Sequence, residues 1–186
     1  PIEDARTYEE ADILVAAFSC APRELEHYLN LANRRRDGRF GFYSCTGNAR
    51  ELDAYSYYML PILAGMAINN FSGFDFWSLD SGFPANLDEY GWSKALYTVL
   101  YRDGKQIYPS KQLEAMAEAR TIYEYFRLLK QRAPDDPRLE CIRQGISKAV
   151  AGLGARPMNW ASPRDRSIPA RWRESLWMAL EQDAKP

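Results

Sequence analysis

The sequence has few of the residues from which metal sites and nucleophilic triads are built. It contains three cysteines, Cys20, Cys45 and Cys141, and one histidine, His27. No two cysteines have the spacing of metal ligands, and an odd count argues against a complete disulfide framework. We expect buried, structural thiols. A His-based triad or a His-rich metal site would depend on His27 alone, so we expect no metal and no cofactor.

Charge of one sign and long apolar runs are also missing. The formal net charge is −1, so no global field would attract nucleic acid or anionic lipid. The basic run Arg34–Arg36 is typical of a solvated helix end. No stretch approaches the roughly 20 apolar residues of a membrane span. No signal peptide is visible, but the chain begins at Pro1, which leaves room for an upstream extension and a targeting signal outside the sequence.

What the sequence does contain is the pattern of an α/β protein. With 186 residues and 46% hydrophobic residues, disorder is excluded and one domain can form a sizeable core. Apolar segments followed by helix-like sequence predict a parallel sheet of βαβαβ type. The predicted strands are 13–18, 40–45 and 73–79, and the predicted helices begin at Pro22 and span about 57–70. Because no strand is followed by G-x-G-x-x-G, a barrel and a doubly wound sheet both remain open.

The second half of the chain is predicted to be mostly helical. Residues 83–109 form a long aromatic connection with a turn at Asp103-Gly104. Ser110 is predicted to cap a helix that reaches about Arg132, with one face formed by Leu113, Met116, Arg120 and Tyr123 and a neighbouring row of Ile122, Phe126 and Leu129. Two further helices are predicted, one with an apolar row of Leu139, Ile142, Ile146, Ala149 and Leu153, and one capped by Ser167 and Pro169 that carries Trp172, Leu176 and Leu180. We divide the chain into 1–133, the β/α units, and 134–186, a helical extension.

Polar and aromatic side chains follow the predicted strands at the ends where parallel α/β proteins bind ligands. A sugar ring needs an aromatic platform for its C–H face and polar groups for its hydroxyls. Tyr43 with Thr46, and Trp77 with Asp80, supply this combination. The alternative for Trp77, and the favoured one for the phenylalanines Phe74 and Phe76, is a place in the core.

No pair of carboxylates for glycoside hydrolysis can be assigned. Asp88-Glu89 is adjacent in sequence but lies in the long connection, where a solvated pair is the simpler interpretation. Strand alternation places Asp75 on the side of Trp77, and Asp80 stands at the strand exit. Because neither acid has an evident partner, the catalytic residues stay unassigned.

Five short motifs follow one another along the chain: Tyr43–Gly47 (YSCTG), Asp53–Tyr58 (DAYSYY), Gly73–Ser78 (GFDFWS), Tyr108–Ala115 (YPSKQLEA) and Tyr123–Leu129 (YEYFRLL). In this order and spacing they resemble proteins related to glycoside hydrolase family 123 and their conserved C-terminal domain. The sequence departs from the family pattern at Gln112 and Ala117, where the family has arginines. It also departs at Ala119 and Ile122, where a glycine and an acid are usual.

The resemblance implies the C-terminal portion of a (β/α)8 barrel, with additional C-terminal helices, that acts on glycosidic bonds. Its relatives remove N-acetylhexosamine units by using the substrate's acetamido group and an adjacent Asp-Glu pair upstream of this region. A complete barrel takes ~250 residues, so this chain would supply part of the sugar-binding wall and not the catalytic acids. The wall residues implied are Tyr43, Trp77 and Asp80, with Tyr55 and Trp92 as further candidates. By analogy with such relatives alone, we expect a secreted or periplasmic protein.

Two alternatives remain beside the hydrolase. One is a self-sufficient α/β protein that binds carbohydrate without cleaving it, with residues 134–186 covering the sheet. The other is a structural or interaction module that keeps only the scaffold. For both the hydrolase and the carbohydrate-binding protein, the expected partner is a carbohydrate. We expect no nucleic acid partner and no membrane span, and the oligomeric state is open.

Overall fold

The structure is a computed structural model that combines strands and helices, with helices in the majority. It describes residues 13–17, 27, 30, 39–44, 59–67, 71–76, 100–103, 105–151 and 167–183. The general expectation of an α/β protein is confirmed. Within these ranges the strands form one parallel sheet and one hairpin, and they do not close into a barrel.

The parallel sheet contains the three strands that the apolar segments predict. Strands β1 (Ile13–Ala17), β2 (Arg39–Ser44) and β3 (Phe71–Phe76) lie side by side in that order. Both pairings are parallel. β3 starts slightly before its predicted beginning at Gly73, and residues 77–79 of the predicted strand lie outside the described residues. Consecutive parallel strands require crossover connections, as the βαβαβ pattern predicts.

The register of the β2–β3 pairing shifts between Phe40 and Gly41. Phe40 pairs with Phe71, whereas Gly41 pairs with Gly73, so Ser72 has no Cα partner in β2. The Ser72 hydroxyl donates a hydrogen bond of 3.0 Å to the carbonyl oxygen of Phe40. The side chain thus satisfies a main-chain acceptor at the β-bulge.

A two-stranded antiparallel hairpin lies inside the segment predicted to be a long connection. Strands β4 (Leu100–Asp103) and β5 (Gln106–Pro109) pair with Asp103 opposite Gln106, so two residues join them. The long connection predicted over 83–109 therefore contains, at its end, two strands that were not predicted. The predicted turn at Asp103-Gly104 was the correct signal, because Asp-Gly between alternating residues is typical of tight hairpins.

Helix α1 lies within the predicted helix of about 57–70. It spans Leu60–Ala64 and continues as a 3-10 turn over Gly65–Ala67, and the two ends of the predicted range lie outside the described residues. Pro61 lies in its first turn, where the missing N–H removes no intrahelical hydrogen bond. Leu60, Leu63 and Ala64 are fully buried. Earlier in the chain, His27 and Asn30 have helical backbone within the helix predicted to begin at Pro22.

Helix α2 (Lys111–Arg132) begins and ends as predicted. The Ser110 hydroxyl accepts a 3.2 Å hydrogen bond from the Leu113 N–H, which confirms the N-cap. The predicted neighbouring row of Ile122, Phe126 and Leu129 is buried, whereas the row that begins at Leu113 is at most half-buried and its Arg120 is exposed. The buried row recurs at alternating intervals of three and four residues: Gln112, Ala115, Ala119, Ile122, Phe126 and Leu129. Two adjacent rows are apolar, and tertiary packing selects the row whose alanines allow close approach.

Helices α3 (Pro137–Ala151) and α4 (Ser167–Asp183) complete the described structure. α2 makes its most extensive contacts with α4. In α3, Leu139, Ile142 and Ile146 are buried as predicted, but Val150 is buried and Ala149 only partly so. In α4, Leu176 and Leu180 are buried, while Trp172 is half-buried against the core. Sheet and helices contribute to one hydrophobic cluster. The domain division at residue 134 stays a prediction.

Asp136 caps α3 and is held by the residue that follows the helix start. Its carboxylate accepts a 2.9 Å hydrogen bond from the Arg138 N–H and two from the guanidinium, at 2.8 and 2.5 Å. The side-chain hydrogen bond from Arg138 holds the pKa of Asp136 below its ordinary value of 3.8. The carboxylate therefore stays ionised in the folded protein at mildly acidic pH.

We expect Asp136→Ala to lower the free energy of unfolding by about 0.5–2 kcal/mol, the range for a lost N-cap. Because the pKa is depressed on folding, the ionic part of this stabilisation is complete above the unfolded pKa and is lost as the pH falls through the folded pKa. Urea unfolding of both proteins at pH 7 and below pH 4 measures the difference. Asp135→Ala, a change at the exposed neighbour, is the control. Equal effects of the two substitutions, or a difference that grows in acid, would contradict the cap.

Candidate functional site

The three parallel strands end at the same edge of the sheet, which we call the carboxyl edge. Ala17, Ser44 and Phe76 are the last residues of β1, β2 and β3. Tyr43 lies one residue before the end of β2 and is half-buried. Its Cα partners are Ala17 in β1 and Asp75 in β3. The structure therefore brings Tyr43 next to the backbone of Asp75, at the edge where α/β proteins bind ligands.

Two buried phenylalanines fix the position of this tyrosine. Phe40 and Phe42 alternate with Gly41 and Tyr43 along β2, and both are almost fully buried. Their rings meet edge to face, with centroids 5.2 Å apart and planes at 85°. Phe42 also lies 6.3 Å from the ring of Phe71. Because the apolar side of β2 is anchored in the core, the backbone that carries Tyr43 is well positioned.

The other predicted wall residues are not among those that the structure describes. Trp77, Asp80, Tyr55 and Trp92 lie outside the described residues. The same holds for the acidic pair 88–89. Of the residues predicted to bind sugar, Tyr43 alone has a described position.

The edge strand β1 exposes apolar side chains on one side. Ile13 is 51% exposed and Val15 is 42% exposed. Their Cα partners in β2 are Arg39 and Gly41, so these residues belong to the row that includes Tyr43. Parallel sheets in α/β proteins are normally covered on both faces, so this part of the sheet has room for a further layer.

The described residues contain no cluster of three or more side chains suited to a metal ion. His27 is exposed. Cys141 is a free, exposed thiol, so the prediction of a buried structural thiol is wrong for this residue. It lies on the outer side of α3, next to the buried Ile142 in sequence but on a different face of the helix.

A cleft of about 540 Å³ lies between β3 and α2. This cleft was not predicted from the sequence. We call it the apolar cleft. Its lining residues are Ile62, Phe71, Ser72, Gly73, Phe74, Leu113, Met116, Ala117, Arg120 and Tyr123. The row Leu113, Met116, Arg120 and Tyr123, predicted as a face of α2, is one side of this cleft. The signal was therefore present in the sequence, but the opposite wall comes from β3 and is set only by the tertiary fold.

Besides Ser72 of β3, the lining contains two polar side chains of α2, Arg120 and Tyr123. The Tyr123 ring lies 5.8 Å from the ring of Phe71. Burial raises the pKa of Tyr123 above its ordinary value, and the charge of Glu124 raises it further. Arg120, three residues before it, is exposed and forms no ion pair within the described part of the chain.

No described helix is both long enough and apolar enough to span a bilayer. Comparison of the chain with protein-family models, with curated proteins and with solved structures finds no match. The resemblance to glycoside hydrolase family 123 is therefore a prediction from the sequence motifs alone.

Proposed function

We propose that this chain is part of a barrel-type glycoside hydrolase and that its carboxyl edge supplies residues of the sugar-binding wall. The observation that carries the proposal is the position of Tyr43. A half-buried aromatic ring stands at the end of a central parallel strand, beside Asp75 in register. Aromatic rings with nearby polar groups are the usual surface for a sugar.

The arrangement of the sheet supports the barrel part of the proposal. Consecutive strands of a (β/α)8 barrel are parallel neighbours in chain order, which is the order of β1, β2 and β3. The exposed Ile13 and Val15 fit a sheet face that other units of the barrel cover. An α/β protein complete in itself would gain stability by burying these side chains.

The proposed roles follow the chemistry of each side chain. Tyr43 and Trp77 stack on the apolar face of the sugar, and Asp80 accepts hydrogen bonds from its hydroxyls. Tyr55 and Trp92 extend the wall. Other units of the barrel contribute the catalytic acids, and the substrates are N-acetylhexosaminides. The partner is therefore a carbohydrate rather than a nucleic acid.

We expect Tyr43→Ala to weaken the binding of an N-acetylhexosamine by about fivefold or more, because the ring loses its stacking contact. The measurement is saturation-transfer NMR with N-acetylglucosamine and N-acetylgalactosamine over a millimolar range. Tyr108→Ala is the matched control, since Tyr108 lies on β5 and is 43% exposed. No saturation transfer to any sugar of a broad panel, or equal loss in both variants, would contradict a sugar site at Tyr43.

Hydrolysis separates the leading proposal from a carbohydrate-binding protein without activity. The chain alone should not cleave an aryl N-acetylhexosaminide, whereas a longer protein that contains it should. Turnover by the purified chain would show that the acids lie within it. If Trp77→Ala changes stability and no sugar binding, the structural alternative is favoured.

A further inference from the structure

The apolar cleft has two walls that differ in chemistry. On the sheet side, Phe71 and Phe74 of β3 present aromatic rings. On the helix side, Leu113 and Met116 of α2 add aliphatic surface, and Arg120 and Tyr123 add polar groups. The volume of the cleft, about 540 Å³, is within the ~300–1,000 Å³ of typical small-molecule sites. The cleft therefore has the size and the mixed lining of a ligand site.

The guanidinium of Arg120 is available to a ligand. The nearest acids along α2 have other partners, because Glu124 binds Arg127 at 2.8 Å and Glu118 binds Arg173 at 3.5 Å. Arg120 itself forms no ion pair in the described ranges. A positive charge beside an apolar cleft attracts an anion whose remaining surface is apolar.

The Tyr123 phenol adds a neutral donor to the same lining. Because burial raises the pKa of Tyr123, its hydroxyl keeps its proton at neutral pH and can donate a hydrogen bond. The Ser72 hydroxyl already donates to the carbonyl oxygen of Phe40 at 3.0 Å. Few groups remain to bind the several hydroxyls of a sugar, so a carbohydrate fits the cleft poorly.

We propose that the apolar cleft binds a small aromatic carboxylate, with its ring between Phe71, Phe74 and Met116 and its carboxylate against Arg120 and Tyr123. This site is separate from the carboxyl edge, because Phe71 and Ser72 begin β3 whereas Tyr43 stands near the end of β2. The inference goes beyond the proposed sugar site and does not depend on it.

Isothermal titration of the whole chain with 3-phenylpropionate tests the proposal, with 3-phenylpropionamide as the uncharged analogue. We expect saturable binding of the carboxylate and binding of the amide weaker by about tenfold, the effect of one charge-assisted hydrogen-bonded contact. Arg120→Met should weaken the carboxylate by a similar factor and leave the amide unchanged. Since Arg120 is exposed, this substitution should not prevent folding.

Arg132→Met is the matched control, because Arg132 is an exposed arginine at the end of the same helix. It should leave both affinities unchanged. Ala117→Trp fills the cleft from an exposed position of α2 and should abolish binding of both compounds, while circular dichroism confirms the fold. No binding of 3-phenylpropionate at millimolar concentration, equal affinity for acid and amide, or an Arg120→Met protein that binds like the wild type would each overturn the proposal.

Discussion

Replacement of Phe42 by alanine is expected to lower the free energy of unfolding by about 3–5 kcal/mol, the usual range for a phenylalanine in a core. Phe42 is 0% exposed. Its ring contacts that of Phe40 edge to face at 5.2 Å and lies 6.3 Å from that of Phe71. The substitution removes the transfer free energy of the ring and leaves a cavity in the middle of β2, where the strand has partners on both sides and relaxes little.

Urea unfolding followed by circular dichroism measures this loss, and Ile107→Ala provides the control. Ile107 lies on β5 and is 65% exposed, so its truncation should change stability by no more than about 0.5 kcal/mol. Similarly small effects of both substitutions would mean that the parallel sheet of β1, β2 and β3 is not part of the core that unfolds cooperatively. An unchanged m-value in both variants would show that the unfolding transition is the same.

The strands of the parallel sheet could be predicted because each leaves a direct mark on the sequence. Residues 13–17 form an unbroken apolar run, which is typical of a parallel strand, although Ile13 and Val15 are exposed on one side of β1. In β2, Phe40 and Phe42 alternate with Gly41 and Tyr43, and this pattern also indicates a strand. The starts of β2 and β3 lie one and two residues before the predicted ones, because hydrogen-bonded pairing with a neighbour, rather than composition, sets where a strand begins.

The hairpin β4–β5 could not be predicted from burial, since every residue of β5 is exposed. A strand that buries neither face shows no apolar period. Only the Asp103-Gly104 turn marked it, and a turn signal without flanking periodicity fits a loop equally well.

The buried face of α2 was predicted only in part. Ile122, Phe126 and Leu129 are buried as predicted, but the face continues through Ala115 and Ala119 rather than through the larger Leu113 and Met116. Which of two adjacent rows packs inward depends on the neighbouring elements, and small side chains permit the closer approach. The row of Leu113, Met116, Arg120 and Tyr123 lines the apolar cleft instead. Gln112 is 6% exposed, which hydrophobicity alone would not indicate.

The candidate sites differ in how far the sequence foretold them. Tyr43 was identified because the end of a parallel strand is a known position for ligands. The apolar cleft joins Phe71 to Tyr123, residues from elements far apart in the chain. A pattern within one segment cannot indicate such a pair, and no relative was found to suggest it.

The last prediction concerns Gly41 and Gly73, which face each other across β2 and β3. A Cβ added to Gly41 would lie 2.8 Å from the carbonyl oxygen of Gly73, whereas a Cβ added to Gly73 would meet nothing within 4 Å. Main-chain atoms in a paired strand cannot turn aside as a side chain can. We therefore expect Gly41→Ala to lower the free energy of unfolding by about 1–3 kcal/mol, as overpacking does.

Gly73→Ala should have the opposite sign. With open space for the methyl group, the main effect is a smaller conformational entropy of the unfolded chain, which stabilises by about 0.4–1 kcal/mol. Urea unfolding of the two variants measures both effects, and hydrogen exchange of the β2 amides locates the damage. Glycine-to-alanine substitution at two paired positions thus distinguishes the steric effect of the added methyl group from the general preference of a strand for alanine or glycine. Equal destabilisation by both would mean that preference dominates and that the close approach of β2 to β3 is not what requires glycine at position 41.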